Sequence, residues 1–295
     1  MLQFRILCNN YVSRGRLLAE HGLSLWIERN GTSILFDAGQ TDVWLRNAHT
    51  LGLKPESANA VVLSHGHYDH CGGLEYFPFR ESSAMVYVTP QAFQKKLTLD
   101  ANGAYRDIGM PWRLGDSPES EGRVASTEGK TEILPGVWTL GNIGSYNSFE
   151  SVQDCFFTEE GTKRVPDHME DEQILVVKDG DGLAVFSGCS HRGVVNCVEH
   201  VRACFPGRKI RSLVAGMHLN GEGPERIQKA LEYFSQSDLQ KVIPLHCTGI
   251  TASAQLKEAL GSRCVLGAVG DKSICPETVA CVSLLTGERR HCIIN

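Results

Sequence analysis

Ser64-His65-Gly66-His67-Tyr68-Asp69-His70-Cys71-Gly72-Gly73 sets three imidazoles and one carboxylate within six residues. Packing alone does not explain such a run, because several adjacent histidines would bury ring nitrogens that need partners. A metal supplies those partners. His65 and His67 are two apart in an extended segment, so they point the same way and can bind one ion. Asp69 and His70 fall on the adjoining turn, where they can serve a second ion a few ångströms away. Gly66, Gly72 and Gly73 are expected to let the backbone bend tightly around the pair.

Working outward, Ala60 to Leu63 is a short apolar run that suits a buried strand delivering the histidines to a sheet edge. Upstream, Phe4 to Leu7, Leu23 to Ile27 and Ile34 to Phe36 predict a β-meander, with Asn30-Gly31 as the hairpin turn between the last two. Asp42 to Leu51 has helical spacing, with Thr41 as N-cap and Gly52 as stop. Downstream, Leu99 to Glu128 shows little periodicity and reads as a long loop over the site, with Tyr105, Arg106 and Trp112 as substrate contacts. Strands resume at Val137 to Leu140, Gln173 to Val177 and Leu183 to Phe186, the last pair forming a hairpin. Helical spacing at Val194 to Cys204, Glu225 to Phe234 and Ala252 to Leu260 alternates with apolar strands at Ser212 to Ala215 and Lys241 to Pro244. No linker divides the chain, so residues 1–295 are expected to form one domain.

The His-x-His-x-Asp-His pattern at His65, His67, Asp69 and His70 resembles the metallo-β-lactamase superfamily, and the resemblance covers nearly the whole chain. It implies an α/β fold, an αββα sandwich of two mixed β-sheets flanked by helices. Phe36-Asp37-Ala38-Gly39 is similar to the family's early Asp-x-Gly turn, where the carboxylate braces the metal loop. The resemblance also points to Phe186-Ser187-Gly188-Cys189-Ser190-His191, where Cys189 and His191 are both ligand candidates for a zinc-type ion, with a space-filling thiol the competing role for Cys189. Leu245-His246-Cys247-Thr248-Gly249 is similar to the family's carboxy-terminal ligand histidine, making His246 a ligand of the second ion. His218, in Gly216-Met217-His218-Leu219, is open between substrate contact, proton carrier and packed residue. One family element is missing: no Gly-His-Ser/Thr-x-Gly supplies a third histidine to the first site. Gly141 to Ser145 occupies roughly that region without an imidazole, and His191 is the expected replacement.

A narrower resemblance rests on Ala19-Glu20-His21-Gly22-Leu23-Ser24, Gly188 to Gly193, Gly216 to Leu219 and His246 to Gly249. These stretches are similar to the prokaryotic dihydropterin ribofuranosyl-aminobenzene phosphate synthase-like hydrolases. The chain departs from that pattern at Asn9, where an aspartate is expected, and over Tyr146 to Glu150. His21 is open between substrate contact, proton donor and buried structural residue.

The implied chemistry is hydrolysis by a metal-bridged hydroxide of a small phosphorylated or carboxylated substrate, with Asp69 orienting the hydroxide and His218 or His21 assisting. Two divalent ions are expected, zinc first, with iron or manganese as alternatives. Three other functions stay open: a pterin-type phosphate synthase, an iron-dependent oxidoreductase on the same fold, and a non-catalytic metal-dependent ligand sensor. A flavodiiron centre would want glutamate where His67 stands, which counts against the second.

Composition excludes other classes. A net charge of −5 offers no basic footprint for nucleic acid. No window approaches the ~20 consecutive apolar residues of a membrane span. The amino terminus reads as a strand rather than a signal peptide, and 11 cysteines, an odd number, argue for reduced thiols. A cytoplasmic protein with a small-molecule substrate is expected; the oligomeric state stays open.

Overall fold

The computed structural model describes residues 1–112 and 122–274. In chain order the strands are β1 (Leu2–Cys8), β2 (Ser24–Arg29), β3 (Thr32–Phe36), β4 (Ala60–Val62), β5 (Met85–Val88), β6 (Leu97–Leu99), β7 (Tyr105–Asp107), β8 (Val124–Ser126), β9 (Lys130–Leu134), β10 (Val137–Leu140), β11 (Phe156–Glu160), β12 (Lys163–Pro166), β13 (Ile174–Asp179), β14 (Gly182–Ser187), β15 (Ile210–Gly216), β16 (Lys241–Leu245) and β17 (Lys272–Ile274). The α-helices are α1 (Val43–Thr50), α2 (Tyr68–Cys71), α3 (Val194–Cys204), α4 (Pro224–Gln236) and α5 (Ile250–Leu260).

Two sheets face each other. The first runs β17-β1-β2-β3-β4-β5-β8 and the second β16-β15-β14-β13-β10-β9. Alternation explains the first sheet's opening: in β1, Phe4 and Ile6 turn into the space between the sheets, where they meet Phe186, Val214 and Ile243 of the second. Asn30 and Gly31 both take positive φ, 50° and 81°, as a two-residue hairpin turn demands. In the second sheet β14 and β15 are buried at every position and pair in parallel, which is why Leu183 to Phe186 and Leu213 to Ala215 read as unbroken apolar runs. Outer faces are closed by helices. Trp44 and Ala48 of α1 cover the first sheet, and α3, α4 and α5 cover the second through residues such as Val198, Phe234 and Leu256. Burying each such large side chain stabilises the fold by roughly 1.5–3 kcal/mol. The result is the αββα sandwich that the resemblance implies.

A third sheet, β12-β11-β6-β7, was not anticipated. The reading of Leu99 to Glu128 as loop is corrected, since β7 of this sheet and β8 of the first lie within that stretch, while residues 113–121 lie outside the described residues. Helix α1 is also capped differently. Asp42 rather than Thr41 stands at its N-cap, without a side-chain capping bond.

Strands β1, β3, β4, β14, β15 and β16 all end at one edge of the sandwich, as their pairing directions require. The segments that follow them carry Asn10, Asp37, His65, Cys189, His218 and His246. Ligand sites in α/β sheets gather outside the carboxyl ends of strands for this reason.

Candidate metal centre

His65, His67, Asp69 and His70 are all buried, as are Cys189, His191 and His246. Among the described residues three groups of ligand atoms lie within 4.8 Å of one another: His65, Cys189 and His191; His70, Cys189 and His246; His21, Asp69 and His246. Nε2 of His65 and Nε2 of His191 face each other at 3.3 Å. His67 joins them edge-on, its ring centroid 4.6 Å from His65 and 4.7 Å from His191. Cys189 Sγ is shared, lying 3.1 Å from His70 Nε2 while also grouping with His65. Asp69 Oδ2 sits 3.1 Å from His246 Nε2 and 3.2 Å from His21 Nε2.

The donors fit metal ions. His67 Nε2 and His246 Nε2 are buried without a hydrogen-bond partner, a state that costs free energy unless a cation takes their lone pairs. Burial lowers the His67 pKa to about 3 and that of His246 to about 4, and holds His65 and His191 well below the usual range. Neutral imidazole is the ligating form. His70 differs. Burial opposes its protonation, but the carboxylates of Asp37 and Asp69 outweigh that and raise it to about 9. Burial would raise the Asp69 pKa, but His70, His21 and His246 together outweigh it and hold the carboxyl well below the usual range.

Three buried carboxylates fix the ligand loops by their backbone amides. Asp37, as expected for its turn, accepts from Ser64 N at 2.7 Å, Ser64 Oγ at 2.7 Å and, through Oδ2, pairs with His70 Nδ1 at 2.7 Å. Glu172 was not singled out from the sequence. It accepts from His191 N at 2.7 Å and Arg192 N at 2.9 Å, and burial raises its pKa to about 7. Its neighbour Asp171 accepts from Gly66 N at 2.8 Å and is paired with the buried Lys96 at 2.6 Å. The glycines of the motif act by close approach rather than by tight bending: a Cβ on Gly66 would stand 2.2 Å from Ala92 O. Four non-glycine residues at the strand ends take positive φ, Asp37, Ser190, His218 and His246. Such strain costs on the order of 1 kcal/mol or more each and gathers where geometry matters.

The centre opens into a cleft of about 290 Å³ lined by Asn10, His21, Tyr68, Arg106, Phe156, His218 and Asn220 among others. Phe156, from β11, lays its ring 5.4 Å from His67 and 5.0 Å from His191. His218 is half-buried beside His191 at 4.4 Å between centroids, and burial lowers its pKa to about 4. His21 lies at the mouth with its side chain 57% exposed, so the buried structural role is excluded. Of the three expected substrate contacts only Arg106 lines the cleft. Trp112 instead donates to Cys71 O and Gly72 O, bracing the motif from outside, and Tyr105 packs on Phe157 and Arg164. No signal marked Phe156, Asn10 or Lys96. The run Asp171-Glu172-Gln173 had one, three polar residues directly before the apolar run Ile174 to Val177.

With sandwich and centre in place, comparison with known proteins gives the class. Residues 18–192 match the model of the metallo-beta-lactamase superfamily, and the chain belongs to it. It is 31% identical over 255 residues to an uncharacterised protein of Methanocaldococcus jannaschii, covering 86% of this chain and 93% of that one. It is 29% identical over 250 residues to the 7,8-dihydropterin-6-methyl-4-(β-D-ribofuranosyl)-aminobenzene-5′-phosphate synthase of the same organism, covering 81% of this chain and 85% of that one. Among solved structures, a metal-dependent hydrolase of the β-lactamase superfamily superposes with a TM-score of 0.80 at 31% identity, over 94% of this chain and 100% of that one. No helix among the described residues is long and apolar enough to cross a membrane. All eight described cysteines are free thiols.

Proposed function

We propose that the chain, as a single domain, is a metal-dependent hydrolase holding two divalent cations, zinc first, and acting on a small phosphorylated or carboxylated substrate. The observation that carries this reading is the set of buried, partnerless imidazole nitrogens opening on a cleft that also contains Arg106. His65, His67 and His191, with Cys189, would hold one cation; Asp69, His70 and His246, with Cys189 between, would hold the other. Bound there, such cations supply Lewis acidity and an activated water. The protein's own groups do the rest. Arg106, which pairs with no carboxylate among the described residues and lies 5.9 Å over the Tyr68 ring, attracts the anionic end of a substrate. Phe156 excludes solvent from the His67 and His191 side. His218, neutral at physiological pH, offers a hydrogen bond to substrate within the cleft. The free thiols fit a reducing compartment and hence the cytoplasm.

A second reading, a pterin-type phosphate synthase, is favoured by the likeness to the aminobenzene-phosphate synthase over 81% of the chain. Both readings use the same centre, and product identification separates them. The test is elemental analysis of protein purified without chelator, with turnover assays on phosphodiesters, lactones, thioesters and β-lactams before and after chelation. We expect about two equivalents of metal and chelator-sensitive hydrolysis of an anionic substrate. Metal well under one equivalent in folded protein, or turnover indifferent to chelator, would overturn the proposal.

A further inference from the structure

Asn10, just beyond the end of β1, touches two histidines that flank one carboxylate. Its Oδ1 lies 3.3 Å from Gly22 N and 2.8 Å from His246 Nδ1. A backbone N–H only donates, so the atom facing Gly22 is the oxygen, and the orientation of the amide is settled without reference to either ring. His246 Nδ1 faces that same oxygen and must carry its hydrogen. The lone pair of His246 is therefore on Nε2, which is buried, has no hydrogen bond and lies 3.1 Å from Asp69 Oδ2. Two acceptors at that separation require a cation.

The other end of the same amide has the opposite effect. Asn10 Nδ2 lies 3.4 Å from His21 Nδ1 and can only donate to it. In the neutral His21 ring the hydrogen then sits on Nε2, which lies 3.2 Å from Asp69 Oδ2, an ordinary donor-to-acceptor distance. By distance alone His21, Asp69 and His246 form a possible ligand group. Their hydrogen bonds separate them.

We propose that Asn10 is a positioning residue that sorts two imidazoles around Asp69: it presents His246 as a metal ligand and His21 as a hydrogen-bond donor to the carboxylate, so that His21 is not a ligand. This rests on the metal reading of the site, and it adds an assignment of His21, which at 57% side-chain exposure is left on the substrate side of Asp69. An outer group that orients a ligand ring typically changes metal affinity by about 10–100-fold when removed.

The experiment has a part that needs neither metal nor turnover. Two-bond proton–nitrogen NMR spectra of the metal-free protein at about pH 8, where neutral histidine dominates in water, report each ring's tautomer, with His21→Ala and His246→Gln used for assignment. We expect His246 protonated at Nδ1 and His21 at Nε2. Titration with Zn²⁺ then follows Asn10→Ala, whose second equivalent should bind at least about tenfold more weakly while the first is unchanged. Asn10→Asp splits the two halves. A carboxylate still accepts from Gly22 N and His246 Nδ1, so the second equivalent stays, but it cannot donate to His21 Nδ1, and His21 should no longer be held in the Nε2-protonated tautomer alone. His21→Ala should keep both equivalents. His246 protonated at Nε2, or a second equivalent lost in His21→Ala and kept in Asn10→Ala, would overturn the assignment. Should the protein bind no Zn²⁺ at all, the metal reading fails while the tautomers still decide the role of Asn10.

Discussion

Asp37 and Glu172 are both fully buried carboxylates that hold a ligand loop by its backbone, one in each half of the chain. Asp37 reaches a ligand ring as well: it accepts from Ser64 twice and faces His70, whose pKa it helps raise to about 9. Glu172 reaches only amides, those of His191 and Arg192, and its pKa is pushed up to about 7 by burial. The first therefore couples charge into the centre, and the second mainly shapes a turn. The difference shows that a carboxylate beneath a metal loop acts through what it touches, not through burial alone.

The comparison breaks most visibly at Asp37. Asp37→Ala strands two buried donors of Ser64 and removes the partner of His70, so we expect a loss of about 3–5 kcal/mol in chemical denaturation of metal-free protein, with both metal equivalents lost. A loss under about 1 kcal/mol would show that Asp37 is not a brace.

Acid is the next test. In the metal-free protein His67, His218 and His246 have folded pKa values of about 3, about 4 and about 4, against 6.5 unfolded. Their contribution is fully present above pH 6.5 and is lost as pH falls through the window toward 4, at up to about 1.4 kcal/mol per ring per pH unit. His70 and Glu172 run the other way. Their folded values are raised, so their contributions are present below the unfolded values and lost as pH rises toward about 9 and about 7. The lowered rings outnumber them, so thermal scans should show Tm falling steeply from pH 6.5 to 5; a flat profile would contradict neutral buried rings.

Glu172→Gln sharpens the contrast. One amide keeps an acceptor while the other meets an NH₂ group, for a loss of about 1–3 kcal/mol with metal retained. The stability that Glu172 loses as pH rises from 4.5 toward 7 should vanish with it. A loss as large as that of Asp37→Ala, with metal gone, would make the two braces equivalent. The smallest effect belongs to Trp112→Phe, which removes the bonds to Cys71 O and Gly72 O for about 1 kcal/mol and should leave substrate KM unchanged. A raised KM with full stability would restore Trp112 as a substrate contact.

The two halves also differ in how far the sequence could be read. The first half concentrates its donors in one short run, and the apolar run of β2, the turn at Asn30-Gly31 and the apolar run into Ser64 are local signals that local physics obeys. The second half supplies Cys189, His191, His218 and His246 one loop at a time from separate parallel strands. Which donors meet there depends on register across the sheet, which no window of sequence contains. Cys189 stayed open between ligand and space-filling thiol because its shared position between two imidazole groups is a long-range fact. Lys96 is a lysine on the edge of a short strand until the fold buries it against Asp167 and Asp171. The small sheet over the cleft was missed because β6, β7, β11 and β12 are short and mostly polar.

The most direct test of the two-ion centre is anomalous diffraction at the zinc edge from crystals grown with Zn²⁺. Two peaks should appear, one within about 2.0–2.3 Å of nitrogens of His65, His67 and His191, the other at similar distance from His246 Nε2 and an oxygen of Asp69. A single peak, or a His191 ring more than about 4 Å from every peak, would contradict the account.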